Sequence, residues 1–512
     1  MKSSSAFWLI LALASAASLA SGQIPHSSPI NHVIVIVQEN RTVDNLFGSN
    51  SPSNQYYLPG LVFSTTGKAY TVANGVKTVF TVQAVPVPLA SLVNSAGSIA
   101  ADDYDADHSH EPAWVAACDA PLITDPSTAC AMDGFNQIEV FCERGTTGCP
   151  GPAYPTYVYV QYSDVAPYFQ IASQYGYANY MFQTNQGPSF PAHQFIFGGT
   201  SQPGVGLQPS WFVAENKTPL TGSNGCIAAA GSTVAQVDPA TQSEISIYPC
   251  FRHNTMADLF AAHSPPITWT YYTPSQGNLW TAPDAMANIC INSNGVCTGQ
   301  YWTKGAANGY IDIKASDVLT DIGNCALKQV NWVIPTGLES DHASVTDGSG
   351  PSWVASIVNK IGNSSCTDVV NGKTLTYWQD TVILITWDDW GGWYEHVVPP
   401  ALSARAPAIA SSYVYGFRVP LLVVSAYTPA GTVSNSTLDF GAILKFIEEV
   451  FGGLGSISHD ASNPYADYYA QDDLREFFQF TQPARSFQSI QAPLDEHVFL
   501  DPNRPIEPPD ND

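Results

Sequence analysis

The sequence predicts an α/β fold: a central mixed, mostly parallel sheet flanked by helices, with loop-rich insertions. Three observations point there. Residues 33–37 (VIVIV), 381–386 (TVILIT) and 421–424 (LLVV) are continuous apolar or β-branched runs bounded by turn signals, the pattern of strands buried on both faces. The first two runs end in polar residues, Glu39-Asn40 and Asp388-Asp389, and ligands of open α/β sheets sit outside the carboxyl ends of strands. These strand ends also lie far apart in the 512-residue chain, so one large domain with insertions fits better than the three or so that length alone suggests. The expected organisation is a leader at 1–22, a single domain at 23–482 and a Pro/Asp-rich tail at 483–512.

The leader has Lys2 ahead of an apolar stretch at 7–17, with small residues around Ala20 and Gly22. That is the layout of a secretory signal peptide without a twin arginine, and it implies a secreted or periplasmic protein. No later apolar run approaches about 20 residues, so no stable membrane insertion is expected. Ten cysteines in an exported chain imply disulfides. Local pairs would be 142/149, 226/250 and 290/297, and no spacing fits a zinc finger. With 18 basic against 43 acidic residues, the net charge of −25 argues against nucleic acid and anionic membrane as partners. An anionic substrate would need a local positive centre, which a metal ion can supply.

Along the chain, the strand at 33–37 is followed by a helical turn at 42–48. Glu39 and Asn40 are candidate ligands there, against the simpler role of capping that turn. Asn40-Arg41-Thr42 matches a glycosylation sequon, but a strand-end turn aimed into a crevice is a poor acceptor. Residues 50–100 suggest short strands or an excursion from the main sheet. At 105–111, DADHSHE packs five ionisable residues into seven, either an exposed acidic turn or a source of His108 or His110 for the crevice. A helix is expected at 168–181. Beyond it, Gly187-Pro188-Ser189-Phe190-Pro191 fixes the backbone on both sides of a serine. A helix after that turn would aim its free N–H groups at an anion held by Ser189, whereas the local alternative makes Ser189 a helix cap.

A loop-rich insertion at 200–250, a helix near 255–260 and a strand at 267–272 come next. A strand at 329–335 leads to Glu339, Asp341 and His342, and a helix at 352–361 leads into TVILITWDDWGGWYEHVVPP at 381–400. In that stretch two adjacent acids, a Gly-Gly turn and His396 follow one buried strand. A last strand at 418–425 and an amphipathic helix at 440–451 close the domain.

These blocks together resemble the bacterial phospholipase C/acid phosphatase phosphoesterase family, whose fold is alkaline-phosphatase-like. VIVQENRTVDNLFG at 35–48 is similar to its QENRS-F-D-x-x-F-G opening. Asp105-x-x-His108 with Met132-Asp133-Gly134-Phe135 is similar to its second block, and Gly187-Pro188-Ser189 to its G-P-[ST] nucleophile block. Thr386-Trp387-Asp388-Asp389, Gly391-Gly392 and Glu395-His396-Val397 resemble its [TY]-x-D-E-x-G-G-x-x-D-H-V block. Arg418-Val419-Pro420 and the helix around Lys445 to Glu448 match its closing region, so the resemblance runs in order over 31–482. Two departures stand out: Asp389 where Glu is usual, and Glu395 where Asp is usual.

The resemblance implies hydrolysis of phosphate esters, phosphomonoester or phospholipid. Ser189 would be the nucleophile, and Glu39, Asp388 and Asp389 would hold a divalent metal, with Asn40 on metal or phosphate. Hard oxygen ligands suit Mg, Ca or Mn, and Zn also accepts them. His108 and His342 would bind the phosphoryl oxygens or protonate the leaving group, and His396 is a supporting catalytic candidate. A sulfatase would need C/S-x-P-x-R, and Ser189-Phe190-Pro191-Ala192-His193 lacks that Arg. A non-enzymatic, aromatic-rich binding protein would leave the acids and Ser189 unexplained. Oligomeric state is not legible.

Overall fold

Five β-branched side chains in succession, Val33 to Val37, leave neither face of a strand suited to water. The strand His32–Gln38 (β1) is buried along its whole length in the computed structural model. The structure describes residues 28–89, 104–119, 130–142, 152–204, 211–218, 222–238, 243–400, 415–458 and 465–509. The expected leader at 1–22 and Cys149 of the expected 142/149 pair therefore lie outside the described residues.

Seven more strands complete the main sheet: Gly176–Ala178 (β2), Trp269–Tyr272 (β3), Gly309–Asp312 (β4), Val330–Val333 (β5), Thr381–Trp387 (β6), Leu421–Ser425 (β7) and Thr432–Ser434 (β8). Their order is β4-β3-β5-β1-β6-β7-β2-β8. All run in one direction except β7, which is antiparallel to both neighbours. The sheet is thus mixed and mostly parallel, as the apolar runs predict. Helices cover it: Val43–Phe47 (α1), Tyr162–Gln174 (α2), Ser189–Gly198 (α3), Gly350–Gly362 (α4) and Phe440–Val450 (α5). α2 packs with α4 and α3 with α5. In α5, Ile443, Phe446 and Ile447 turn into the core, as the amphipathic spacing requires.

Some element boundaries differ from expectation. The helix placed at 168–181 is α2, and it ends where Tyr175 leaves helical geometry (φ −129°, ψ −121°). Gly176–Ala178 then joins the sheet, because pairing with β7 and β8 outweighs the local helical spacing. The last strand starts at Leu421, after Pro420, rather than at 418. β4 and β8 are too short to leave a periodic signal. The excursion at 50–100 contains an antiparallel hairpin, Thr66–Ala73 with Val76–Gln83. The 200–250 insertion holds a three-stranded sheet of Phe212–Val213, Val234–Val237 and Glu244–Ile247.

Disulfides Cys226–Cys250 and Cys290–Cys297 form as local spacing suggested. Cys118–Cys130, 12 residues apart, is a further local pair that spacing did not single out, and Cys325–Cys366, 41 apart, joins residues that the fold brings together. No helix among the described residues is long and apolar enough to cross a membrane. The C-terminal segment lies on α4, with Phe499 edge-on to Trp353 at 5.4 Å.

Glu448 on α5 is buried beside Asp467, and its Oε1 has no hydrogen-bond partner among the described residues. Burial first, then the Asp467 carboxylate, pushes its pKa from 4.5 up to about 10. The folded chain keeps this proton while the unfolded chain loses it near pH 4.5, so wild-type stability falls as pH rises between these two values. Glu448→Gln should remove that slope and be more stable than wild type by on the order of 2 kcal/mol at alkaline pH. Thermal melts at pH 5 and pH 9 check this; equal wild-type and variant slopes contradict it.

Candidate active site

Strand register makes the site. β1 and β6 pair in parallel from His32↔Thr381 to Gln38↔Trp387, so the residues after each strand leave the sheet together. The Asp388 N–H continues the ladder by donating to Gln38 O at 2.9 Å, and the Asn40 N–H donates to Asp388 Oδ1 at 3.0 Å. Asn40 takes a left-handed backbone (φ 60°), and Gly391 sits against it with φ 61°. A Cβ on Gly391 would lie 2.3 Å from Asn40 O, so the turn admits only glycine there. On the other side, Glu39 N–H donates to Ser340 O at 2.8 Å, which brings the loop after β5 to the same edge.

Ser189 arrives from a third direction, as the first helical residue of α3. Pro188 holds the cap position, so Ser189 does not cap its own helix and its hydroxyl is left for the site. Ser189 Oγ lies 3.2 Å from Asp389 Oδ2, 3.4 Å from Glu39 Oε2 and 3.5 Å from Asn40 Oδ1. One hydroxyl proton cannot serve three acceptors. His193, one turn along α3, places Nε2 3.1 Å from Glu39 Oε1 and 3.7 Å from Asp388 Oδ2.

All of these groups are buried. Burial raises the pKa of both Glu39 and Asp388; the Glu39 charge pushes Asp388 further up, whereas the hydrogen bond with Asp388 and the nearby His342 pull Glu39 part of the way back. Burial and then Asp388 carry Asp389 to about 7, and burial lowers His193 to about 4. Asp388 Oδ2 has no hydrogen-bond partner among the described residues. An excess of buried acceptors over donors is the signature of a cation site. Glu39, His193 and Asp388 each offer an atom within 4.8 Å of the others and could hold a metal.

Two more imidazoles close the site. His108 Nδ1 faces Ala106 O at 2.9 Å and His342 Nδ1 faces Ala343 O at 2.6 Å. A carbonyl only accepts, so each Nδ1 carries a hydrogen. His108 Nε2 meets Asn40 Nδ2 at 3.1 Å, the two rings lie 6.0 Å apart, and both attract the Asp389 charge. His342 is backed by Trp280, stacked at 5.9 Å.

Glu39, Asn40, His108, Ser189, His342, Asp388 and Asp389 are thus brought together. His396 is not. Its Nδ1 pairs with Asp44 Oδ2 at 2.6 Å, in a separate group with Glu395 and Arg418. His110 is also held apart, with Nδ1 3.0 Å from Gln186 O. Trp387, Trp390, Trp393 and Tyr394 are buried in the core. Sequence reasoning missed His193. The signal was its i, i+4 spacing from Ser189, which puts both side chains on one helix face.

Residues 30–454 match the Phosphoesterase family. Among curated proteins, the non-hemolytic phospholipase C of Burkholderia pseudomallei is 28% identical over 193 residues, covering 34% of this chain and 26% of the relative. The non-hemolytic phospholipase C of Pseudomonas aeruginosa is 22% identical over 454 residues, covering 83% of this chain and 54% of the relative. The chain therefore spans about half, or less, of the length of these relatives. A solved protein of the alkaline phosphatase superfamily from Vibrio parahaemolyticus aligns at TM-score 0.29 and 12% identity over 58% of this chain and 64% of that one. The assignment rests on the family match alone.

Gly391→Ala should destabilise the protein by about 2–4 kcal/mol, because it adds both left-handed strain and a clash with Asn40. Denaturant melts check this, and an unchanged midpoint contradicts the role given to the turn.

Proposed function

The chain belongs to the Phosphoesterase family, and on that footing we propose that it is a metal-dependent hydrolase of phosphate esters with Ser189 as its nucleophile. The observation that carries this is the convergence of three oxygens from two parallel strand ends on one serine hydroxyl. The donor set fits a divalent cation: Glu39, Asn40, Asp388 and Asp389 would hold it through oxygen, with His193 as a nitrogen ligand. Mg, Ca, Mn or Zn can occupy such a set. Bound there, the ion supplies Lewis-acid stabilisation of charge on the phosphoryl oxygens.

The protein groups carry the remaining steps. Ser189 Oγ attacks phosphorus and forms an Oγ–P bond while the bond from phosphorus to the leaving oxygen breaks. The nearest acceptor for the hydroxyl proton is Asp389 Oδ2 at 3.2 Å. His108 and His342 bind phosphoryl oxygens through Nε2, and a protonated Nε2 gives its proton to the departing alkoxide. Water then attacks the phosphoserine, the P–Oγ bond breaks, and Ser189 regains a proton. Little of the first turn of α3 stays available to an anion: the Phe190 N–H donates to Asn216 Oδ1, the Ala192 N–H donates to Pro188 O, and Pro191 has no N–H.

The substrate is a phosphomonoester or a phospholipid headgroup ester. The names of the relatives favour the lipid. Four disulfides among the described residues support a secreted or periplasmic location. The sulfatase alternative lacks the Arg of C/S-x-P-x-R at Ser189-Phe190-Pro191-Ala192-His193, and a binding protein leaves the clustered acids and Ser189 without a role.

Ser189→Ala should lower kcat on p-nitrophenyl phosphate by about 1000-fold or more. A variant that keeps wild-type turnover would contradict the nucleophile assignment. Exhaustive chelation should abolish wild-type turnover, and adding back one of Mg, Ca, Mn or Zn should restore it. Full activity in a demonstrably metal-free sample contradicts metal dependence.

A further inference from the structure

The insertion between α3 and β3 sends one strand back across the turn that presents Ser189. Phe212–Val213 pairs with Val234–Val237, and the chain then continues through Ala214, Glu215 and Asn216. A Cβ on Gly187 would lie 2.0 Å from Ala214 O, so the two backbones meet only because residue 187 is glycine. Glu215 Oε1 accepts the Glu111 N–H at 2.9 Å, tying the insertion to the segment that carries His108. The next residue, Asn216, falls beside Ser189.

Asn216 Oδ1 accepts the Phe190 N–H at 3.1 Å. That donor is one of the free N–H groups in the first turn of α3. The other end of the same amide is unmatched: Asn216 is 7% exposed, and its Nδ2 has no hydrogen-bond partner among the described residues. Buried amide donors are nearly always satisfied, so an unmatched one next to a reacting group marks a place for a ligand acceptor. The ligand chemistry fits. A phosphoryl group brings anionic oxygens to a site whose side chains are chiefly carboxylates, and it needs neutral or cationic donors there.

We propose that Asn216 Nδ2 donates a hydrogen bond to a nonbridging phosphoryl oxygen of the ester held at Ser189, so that the insertion completes the active site. This rests on the phosphoesterase role of Ser189. Oδ1 fixes the amide against the first turn of α3, and Nδ2 meets the substrate where negative charge develops.

Asn216→Asp and Asn216→Ala test it. Asp keeps an acceptor for the Phe190 N–H but replaces the donor with an oxygen that repels phosphate, whereas Ala removes both ends without adding charge. Turnover of p-nitrophenyl phosphate, inhibition by inorganic phosphate, metal content and Tm are measured for both variants and for Ser189→Ala. In Asn216→Asp, kcat/KM should fall about 100-fold and inhibition by phosphate should weaken at least about tenfold, with wild-type Tm and metal content. Asn216→Ala should lose about tenfold in both, even if its Tm drops. Wild-type kcat/KM and phosphate inhibition in Asn216→Asp would show that Asn216 is only a helix cap and overturn the proposal. An inactive Ser189→Ala alongside that result confines the failure to Asn216; an active Ser189→Ala removes the Ser189 premise as well.

Discussion

Three carboxyl groups, Glu39, Asp388 and Asp389, are held in one water-excluded pocket because two parallel strands end side by side. Everything nearby answers to that repulsion. Isolated buried carboxylates are costly, and burial raises the pKa of all three. The surroundings answer with backbone N–H groups, three imidazoles and the serine hydroxyl. In our account the divalent cation is the partner that lets these acids ionise together, and the substrate phosphate binds where the same positive charge is felt.

Such a site needs stiff walls, and two polar clusters supply them. Asp341 is the first: Arg41 donates twice to its carbonyl, at 2.9 and 2.6 Å, while Tyr168 and Trp387 donate to its Oδ2 at 2.7 and 3.2 Å. That cluster fixes His342, the next residue, against β1 and β6. Arg504 adds an outer brace by pairing with Glu339 and Asp347 on the same loop. The second cluster joins Asp44 of α1 to Glu395, His396 and Arg418. It ties the segment that follows Glu39 to the loop that follows Asp389. His396 thus belongs to this brace, with both its backbone N–H and its Nδ1 on Asp44 Oδ2.

How much of this the chain disclosed depended on the kind of signal. The long apolar runs of β1 and β6 and the acids at their ends were legible, because burial on both faces leaves no alternation to confuse. Short strands such as β2, β4 and β8 were not, since three or four residues carry no period and only their neighbours make them strands. His108 was a candidate from its ionisable cluster and a family block, His342 from its place after a strand, and the two meet at the site through the fold. His193 was overlooked although its helical spacing from Ser189 was there to read. His396 was drawn to the site by proximity in sequence, yet Asp44, which claims its Nδ1, lies 352 residues away in the chain. Asn216 had no sequence signal, because its placement depends on Ala214 passing directly over Gly187.

The most direct measurement is an anomalous difference map from crystals grown with Mn or Zn. The account predicts a peak bonded to oxygens of Glu39, Asp388 and Asp389, beside Ser189 Oγ. A fully active, metal-loaded enzyme with no peak at those carboxylates, or with its ion bound elsewhere, would contradict it.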